Sequence, residues 1–372
     1  MKILLLGGTG AMGISLVKML ALQNHDVYVT SRQQRESSEK IHYIRGNAHD
    51  DVFLDELLKF RFDIIVDFMI YLPDEFSNRI KKILNATGQY MFLSSARVYA
   101  NLGVAPITEC SPRLLDVCQD IKYLETNEYA IAKAREENVL FNFASKNWTI
   151  IRPYITYNIE RLQLGGIEKD LWLWRALNGL SVPLPKDVAM CKTTLTYGED
   201  VARAIAVLMG INQAKGEVFN ITGNEAITWE EVALIYADVI KEETGNTIKL
   251  YSPTDSMELS NVMGNEYQIF YDRIYNRVFD NSKIMNICNS AFRFTPVKEG
   301  LRSCLKQFIQ SPRWGYINVK VEAYLNRKTG EKENLRLLNG KKEIMKYCGH
   351  FYAPIFMDKL LSIKNNCNSS KK

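Results

Sequence analysis

Long hydrophobic runs are missing from this chain. Nowhere do apolar residues accumulate to the ~18 that a membrane-crossing helix needs, so no span is expected. The apolar run after Lys2 is too short for a secretory signal and passes straight into a glycine turn. Histidine is scarce: His25, His42, His49 and His350 are dispersed, and none needs a catalytic role. The cysteines (Cys110, Cys118, Cys191, Cys288, Cys304, Cys348 and Cys367) are scattered, odd in number and lack metal-ligand spacing. That pattern argues against a disulfide framework or a metal site and points to free thiols in a reducing, cytoplasmic setting. No internal repeat is visible. What remains is ordinary globular material: 372 residues, 47% hydrophobic and 24% charged, enough chain for two domains with substantial cores.

The most informative stretch stands at the N-terminus. Ile3-Leu4-Leu5-Leu6 reads as a buried strand, glycines follow at Gly7, Gly10 and Gly13, and residues 14–22 are apolar at helical spacing. Strand, tight turn and helix in that order bring a backbone close to a pyrophosphate and seat the anion on the helix N-terminus. Gly7, Thr9, Gly10, Met12 and Gly13 are therefore the first candidate cofactor-binding residues. The second strand ends Thr30-Ser31-Arg32, without the carboxylate that usually holds a ribose 2′-hydroxyl. Arg32 can pair with a 2′-phosphate and Ser31 can hydrogen-bond it, which favours NADP, with NAD as the alternative. The plainer reading makes Arg32 a solvated loop charge.

Alternation of strands and helices continues. Strands are expected at 41–44, 63–68, 90–93 and 148–153, and helices at 53–60, 75–86 and 129–145, the pattern of a doubly wound parallel α/β sheet of the Rossmann kind. After Pro153 regularity fails, then a strand-like 193–197, a helix over 199–210 and a strand over 217–222 return. The expected division is a dinucleotide-binding domain of residues 1–153 plus 193–223, a smaller mixed substrate lobe of 154–192 plus 224–312, and a C-terminal extension of 313–372. That extension holds thirteen Lys/Arg and five Asp/Glu, a net +8 against +5 for the whole chain, so the basic character is local. A basic segment of this kind suits an acidic partner or a membrane surface, or is a solvated helical appendage. Residues 351–363 carry apolar residues at helical spacing, and 365–372 read as disordered.

Two further groups carry chemistry. Ser94 and Ser95 end the strand that closes at Leu93, on the carboxyl edge where open α/β sheets bind ligands. Tyr129 and Lys133 stand at i and i+4 on a helix and share a face. An ammonium beside a phenol favours its phenolate, and such a phenol can exchange a proton with a hydroxyl or ketone while hydride moves at a nicotinamide. A serine hydroxyl can hydrogen-bond the same oxygen, and Lys133 can reach the cofactor ribose.

Over residues 1–310 the chain resembles the extended short-chain dehydrogenases/reductases of the nucleotide-sugar epimerase/dehydratase type. The resemblance rests on the glycine turn, Ser94-Ser95-x-x-Val98-Tyr99, Tyr129-x-x-x-Lys133, Ile151-Arg152-Pro153, the stretches 195–205 and 216–223, and 279–301. It implies Tyr129 as acid/base, Lys133 as its electrostatic partner and ribose ligand, and Ser95 as hydroxyl donor. It implies Asn47 and Asp50 near the adenine, Phe68 near the nicotinamide ribose, and Ser94, Tyr154, Asn158 and Lys192 near the substrate. Ala96-Arg97 stands where the family's dehydratases carry an acid pair, which leaves C4 epimerisation or keto-sugar reduction and removes dehydration. Thr193 and Lys192 stand where an arginine often grips the nucleotide diphosphate, which keeps a non-nucleotide substrate open. The resemblance also implies a homodimer through residues 75–86 and 129–145. The rival expectation is a non-catalytic nucleotide- or RNA-binding member of the same fold; an intact Ser/Tyr/Lys set argues against such a pure binder, and a nucleic-acid partner is not expected. Trp172 and Trp174 are expected in the lobe core.

Overall fold

The computed structural model describes residues 1–338, 340–357 and 359. They cluster into two units: Met1–Arg161 with Lys192–Ile227 and Tyr275–Cys304, and Leu162–Cys191 with Thr228–Ile274 and Leu305–Lys372.

The first unit is built on seven strands: β1 (Lys2–Leu6), β2 (Asp26–Ser31), β3 (Ile41–Arg45), β4 (Phe62–Asp67), β5 (Thr87–Leu93), β6 (Trp148–Pro153) and β7 (Glu217–Ile221). Their order is β7-β6-β5-β4-β1-β2-β3, and every pairing is parallel. The order reverses between β1 and β4, the switch point at which such sheets open a ligand crevice. Helices cover both faces: α1 (Ala11–Leu22), α2 (Asp51–Leu58), α3 (Pro73–Asn85), α4 (Tyr129–Phe141) and α5 (Gly198–Leu208). The apolar strands explain why both faces must be covered. Alternate residues of β1 point to opposite sides, so Ile3 and Leu5 join α1 and α5 in one core, while Leu4 and Leu6 join α2, α3 and α4 in the other.

Some sequence boundaries shift. Helix α4 ends at Phe141, where Asn142 caps it, rather than running to 145. The stretch 193–197 breaks into two short strands, of which Thr196–Tyr197 pairs with Thr156–Tyr157. Tyr275–Cys304 clusters with the sheet, whereas the sequence reading placed it in the smaller lobe.

The second unit holds helices Lys169–Leu177, Trp229–Thr244, Val319–Thr329 and Lys341–Tyr352. Trp172 is fully buried, stacks on Tyr236 at 4.4 Å and donates its indole N–H to Leu162 O, so it is core. The described part of the C-terminal segment is no separate extension. Buried Arg175 binds Glu322, Asn326 and Glu331 from it, and Glu331 also accepts from the Ser181 backbone and hydroxyl. The helix expected over 351–363 is interrupted. Helix Lys341–Tyr352 closes at Ala353, because Pro354 lacks an N–H and disfavours helical backbone before it, and one further turn follows at 354–357. The rest of that stretch, and 365–372, lies outside the described residues.

Candidate functional site

The three turn glycines meet three different steric demands. Gly7 has φ +69°, a left-handed conformation that disfavours side chains. A Cβ on Gly13 would lie 2.5 Å from Gly8 O, so the third glycine is what lets α1 pack against the turn. A Cβ on Gly10 would meet no atom within 4 Å. Its neighbourhood is open, as the approach of a ligand requires. Gly10 is also the N-cap of α1, with no side-chain cap and no acid in the first turn, so the helix terminus faces that space uncompensated. These residues fit a dinucleotide pyrophosphate. Thr9 holds the turn through its N–H to Gly7 O, and Met12 and Phe68 are half-buried against the sheet core.

The β2 edge differs from its sequence reading in one respect. The Ser31 hydroxyl turns back to bond Gln33 N and O, which commits it locally. Arg32 is exposed. Arg35, which sequence reasoning missed, lays its guanidinium over Tyr43 of β3 at 5.8 Å. Asn47 Oδ1 accepts from His49 N, and Asp50 Oδ1 caps α2 by accepting from Val52 N and Phe53 N. Asp50 is thus tied to a helix end, a role its place before 51–58 could have revealed.

Ser94 and Ser95 follow β5 with opposite side-chain directions, as extended backbone requires. Ser94, read above as substrate-binding, donates to Glu137 Oε1 at 2.6 Å inside the protein. Ser95 Oγ accepts the Arg97 backbone N–H. Glu137 is gripped by Arg152 through both oxygens, at 2.8 and 2.6 Å, and by Arg113 at 3.1 Å. Arg152 also donates to the Tyr99 hydroxyl, which donates to Asn220 Oδ1. Five separated segments of the chain, at Ser94–Tyr99, Arg113, Glu137, Arg152 and Asn220, therefore meet in one buried network that fixes the end of β5 against α4 and β6.

Tyr129 is the first residue of α4 and half-buried. The cation over its ring is the Arg97 guanidinium, at 5.6 Å, held there by Glu128 Oε1 at 2.6 Å. Glu128 in turn caps α4 and accepts the Tyr123 hydroxyl. Lys133 sits over the Phe92 ring and donates to Glu136 Oε2 at 2.9 Å and to Met69 O at 3.4 Å. The charge of Lys133, expected to serve Tyr129 and the cofactor ribose, is also shared with a buried carboxylate one turn along. Burial pushes the Glu136 carboxyl up to about 7, against the pull of Lys133. Burial also raises Asp67, at the end of β4, which accepts from Tyr71, Tyr90 and Met69 N. No sequence periodicity marks Arg97 and Glu128 as partners, because their meeting depends on how the start of α4 lies on the segment after β5, whereas Glu136 stands three residues after Lys133 on the same helix, a spacing that could have marked that pair.

Of the remaining candidates, Tyr154 is buried against Phe279, and Asn158 Oδ1 closes its own turn by accepting from Glu160 N and Arg161 N. Lys192 is exposed, its backbone tied to Asn276 and Arg277. Among the described residues no cluster of His, Cys, Asp or Glu could hold a metal, and no helix is long and apolar enough to cross a membrane.

A family profile described as "NAD dependent epimerase/dehydratase family" matches residues 3–222. A curated relative, the chloroplast stem-loop binding protein of 41 kDa b from Arabidopsis thaliana, is 26% identical over 253 residues, 62% of this chain. The match spans only 61% of that protein's length. Among solved structures, the UDP-glucose 4-epimerase of Thermus thermophilus in complex with NAD superposes with a TM-score of 0.62 at 18% identity, over 84% of this chain and 100% of that one. The UDP-glucose 4-epimerase of Thermotoga maritima with UDP-glucose gives 0.63 at 18% identity, with the same coverages of 84% and 100%. At this identity the structural likeness shows the fold alone.

Proposed function

The chain belongs to the NAD-dependent epimerase/dehydratase family, and on that premise we propose that it moves hydride between a nicotinamide cofactor and a carbon of a sugar nucleotide. Keto-sugar reduction or C4 epimerisation is the reaction; dehydration is not. The observation that carries this reading is the glycine turn, whose three positions separately supply the bend, the open approach and the close helix packing that a pyrophosphate site needs. The bound nicotinamide supplies the hydride donor or acceptor. The chain's own part is the proton. In reduction, the substrate ketone carbon gains hydride while its oxygen takes the Tyr129 phenol proton, and solvent restores that proton. Ser95 donates to the same oxygen. Arg97 lies over the Tyr129 ring, and Lys133 offers donors to the cofactor ribose. Ala96 and Arg97 put no carboxylate next to Ser95, so loss of water lacks its acid and base there. The cofactor preferred is NADP(H), since Arg32 follows β2 with no acid beside it to repel a 2′-phosphate.

The curated relative's name supports a second reading, a nucleotide-binding fold turned to RNA stem-loops. Native mass spectrometry of the purified chain separates these. Co-purified NAD supports epimerisation, and an empty site that takes up NADPH supports reduction. A chain that binds neither dinucleotide but does bind a stem-loop RNA overturns the enzymatic reading.

A further inference from the structure

Helices Val319–Thr329 and Lys341–Tyr352 bury one face against each other. Val319, Ala323, Leu338 and Tyr347 form that core, with Ile344, Cys348 and Phe351 packed on it. The inner face of the second helix is therefore fully used. Its outer face shows Lys341, Lys342, Met345, Lys346 and Tyr352, and the turn at 354–357 extends this face with Ile355 and Phe356, followed by exposed Lys359. Met345 is 71% exposed, Tyr352 73%, Ile355 74% and Phe356 61%. Four large apolar side chains set among lysines are costly to leave in water, and such a pattern marks an interaction surface.

The charge of this region identifies the partner. Of the five acids in 313–372, Glu322 and Glu331 turn inward to Arg175, and Glu333 is buried. The outward charge is correspondingly basic. A pocket of 260 Å³ opens beside the exposed turn, lined by Asn261, Val262, Lys320, Tyr324, Arg327, His350 and Pro354. Pro354 lies on this pocket and on the apolar patch of Tyr352, Ile355 and Phe356 alike, so the cationic pocket and the patch are continuous.

We infer that this face docks on an anionic phospholipid bilayer. Tyr352, Ile355 and Phe356 enter the boundary between headgroups and acyl chains, the lysines meet lipid phosphates, and the Lys320–Arg327–His350 pocket takes one phosphate-bearing headgroup. A helix end and the turn after it that present apolar side chains flanked by lysines bind an interface by the same two contributions as an interfacial helix, buried apolar area and attraction to anionic lipid. A bilayer fits better than RNA because Met345 and Ile355 are aliphatic. Single-stranded bases stack on planar side chains, whereas branched and straight alkyl groups gain only by leaving water.

Sedimentation of the full chain with vesicles tests the proposal. The chain should pellet with vesicles of phosphatidylglycerol mixed into phosphatidylcholine and stay in solution with phosphatidylcholine alone. Added salt should weaken the binding, and Lys342→Gln and Lys346→Gln should each weaken it about fivefold. The triple variant Tyr352→Ser, Ile355→Ser, Phe356→Ser keeps every charge and should lose vesicle binding. All these residues are exposed, so circular dichroism should be unchanged in every variant. Failure to pellet with anionic vesicles overturns the proposal, as does undiminished pelleting of the serine triple. Binding of a stem-loop RNA that the lysine variants abolish and the serine triple leaves intact, with no vesicle binding, would assign the face to nucleic acid instead.

Discussion

Around Gly7–Gly13 the shape of the site is set by backbone, through one left-handed residue, one open approach and one helix packed against a turn. Around Ser95, Tyr129 and Lys133 it is set by side chains that reach one another from β5, α4 and the loops before them. The glycine half has a form that hardly depends on its surroundings. The other half depends on a chain of ion pairs: Arg97 on Glu128, Lys133 on Glu136, Arg152 on Glu137. The first should therefore fail by steric conflict and ignore pH, and the second should fail by loss of charge or proton.

The largest effect should separate two glycines. Gly13→Val drives a side chain into the Gly8 backbone, which cannot yield as a flexible side-chain tip would, and should destabilise the first unit by more than about 4 kcal/mol. Gly10→Val places its Cβ in open space at a backbone φ of −83°, so the unfolding midpoint should stay put while cofactor affinity falls about a hundredfold. Urea unfolding and cofactor titration on both variants would check this. Equal instability of the two would remove the distinction between packing and ligand approach.

Next in size is Tyr129→Phe. Loss of that residue's one acidic side-chain proton should lower turnover about a thousandfold and leave cofactor affinity within about twofold, since the glycine half is untouched. Retained turnover would move the acid/base role off Tyr129.

This division also explains how much could be read from the chain itself. The alternation of strands and helices, the doubly wound class and the carboxyl edge as the place for a ligand follow from Ile3-to-Leu6-like apolar runs, turn glycines and helical spacing, all local signals. Tyr129 and Lys133 were legible as neighbours on a helix. That Arg97 would cover the Tyr129 ring was not, because that contact is decided by the packing of α4 on the segment after β5, whereas the i,i+3 spacing of Lys133 and Glu136 on α4 is itself a local signal. Ser94 shows the same limit: its residue type suited a ligand, yet alternation along extended backbone sends it inward to Glu137. At 351–363 the apolar spacing is continuous across Pro354, yet the proline ends the helix at Tyr352 and a separate turn follows.

The pH behaviour should sharpen the contrast. Burial holds the Glu136 carboxyl at about 7 in the folded chain, whereas an unfolded glutamate titrates near ~4.3. Between those values the folded chain keeps a proton that the unfolded chain has lost. The resulting stabilisation is complete below the lower value and is lost as pH rises through the upper one. Urea midpoints should thus fall from about pH 5 to about pH 7.5, with Glu136 contributing on the order of 2–3 kcal/mol. Glu322, pushed up to about 7 by burial against the pull of Arg175, contributes in the same direction. Glu136→Gln removes one of these titrations and should flatten the curve. Parallel curves for parent and variant would show that Glu136 does not change protonation on folding.

The smallest effect concerns the outer rim of the glycine half, where a side chain rather than backbone makes the choice. Arg32 is exposed at the end of β2, Ser31 is committed to Gln33, and no acid stands beside them. Arg32→Ala should weaken NADPH about tenfold, the worth of one charge-assisted contact, and leave NADH unchanged. Titration of both dinucleotides against parent and variant gives the ratio directly. A variant that loses affinity for both equally would mean that Arg32 supports the loop and not the 2′-phosphate. A variant that loses neither would leave Arg35, stacked on Tyr43 at the neighbouring strand, as the cation to remove next.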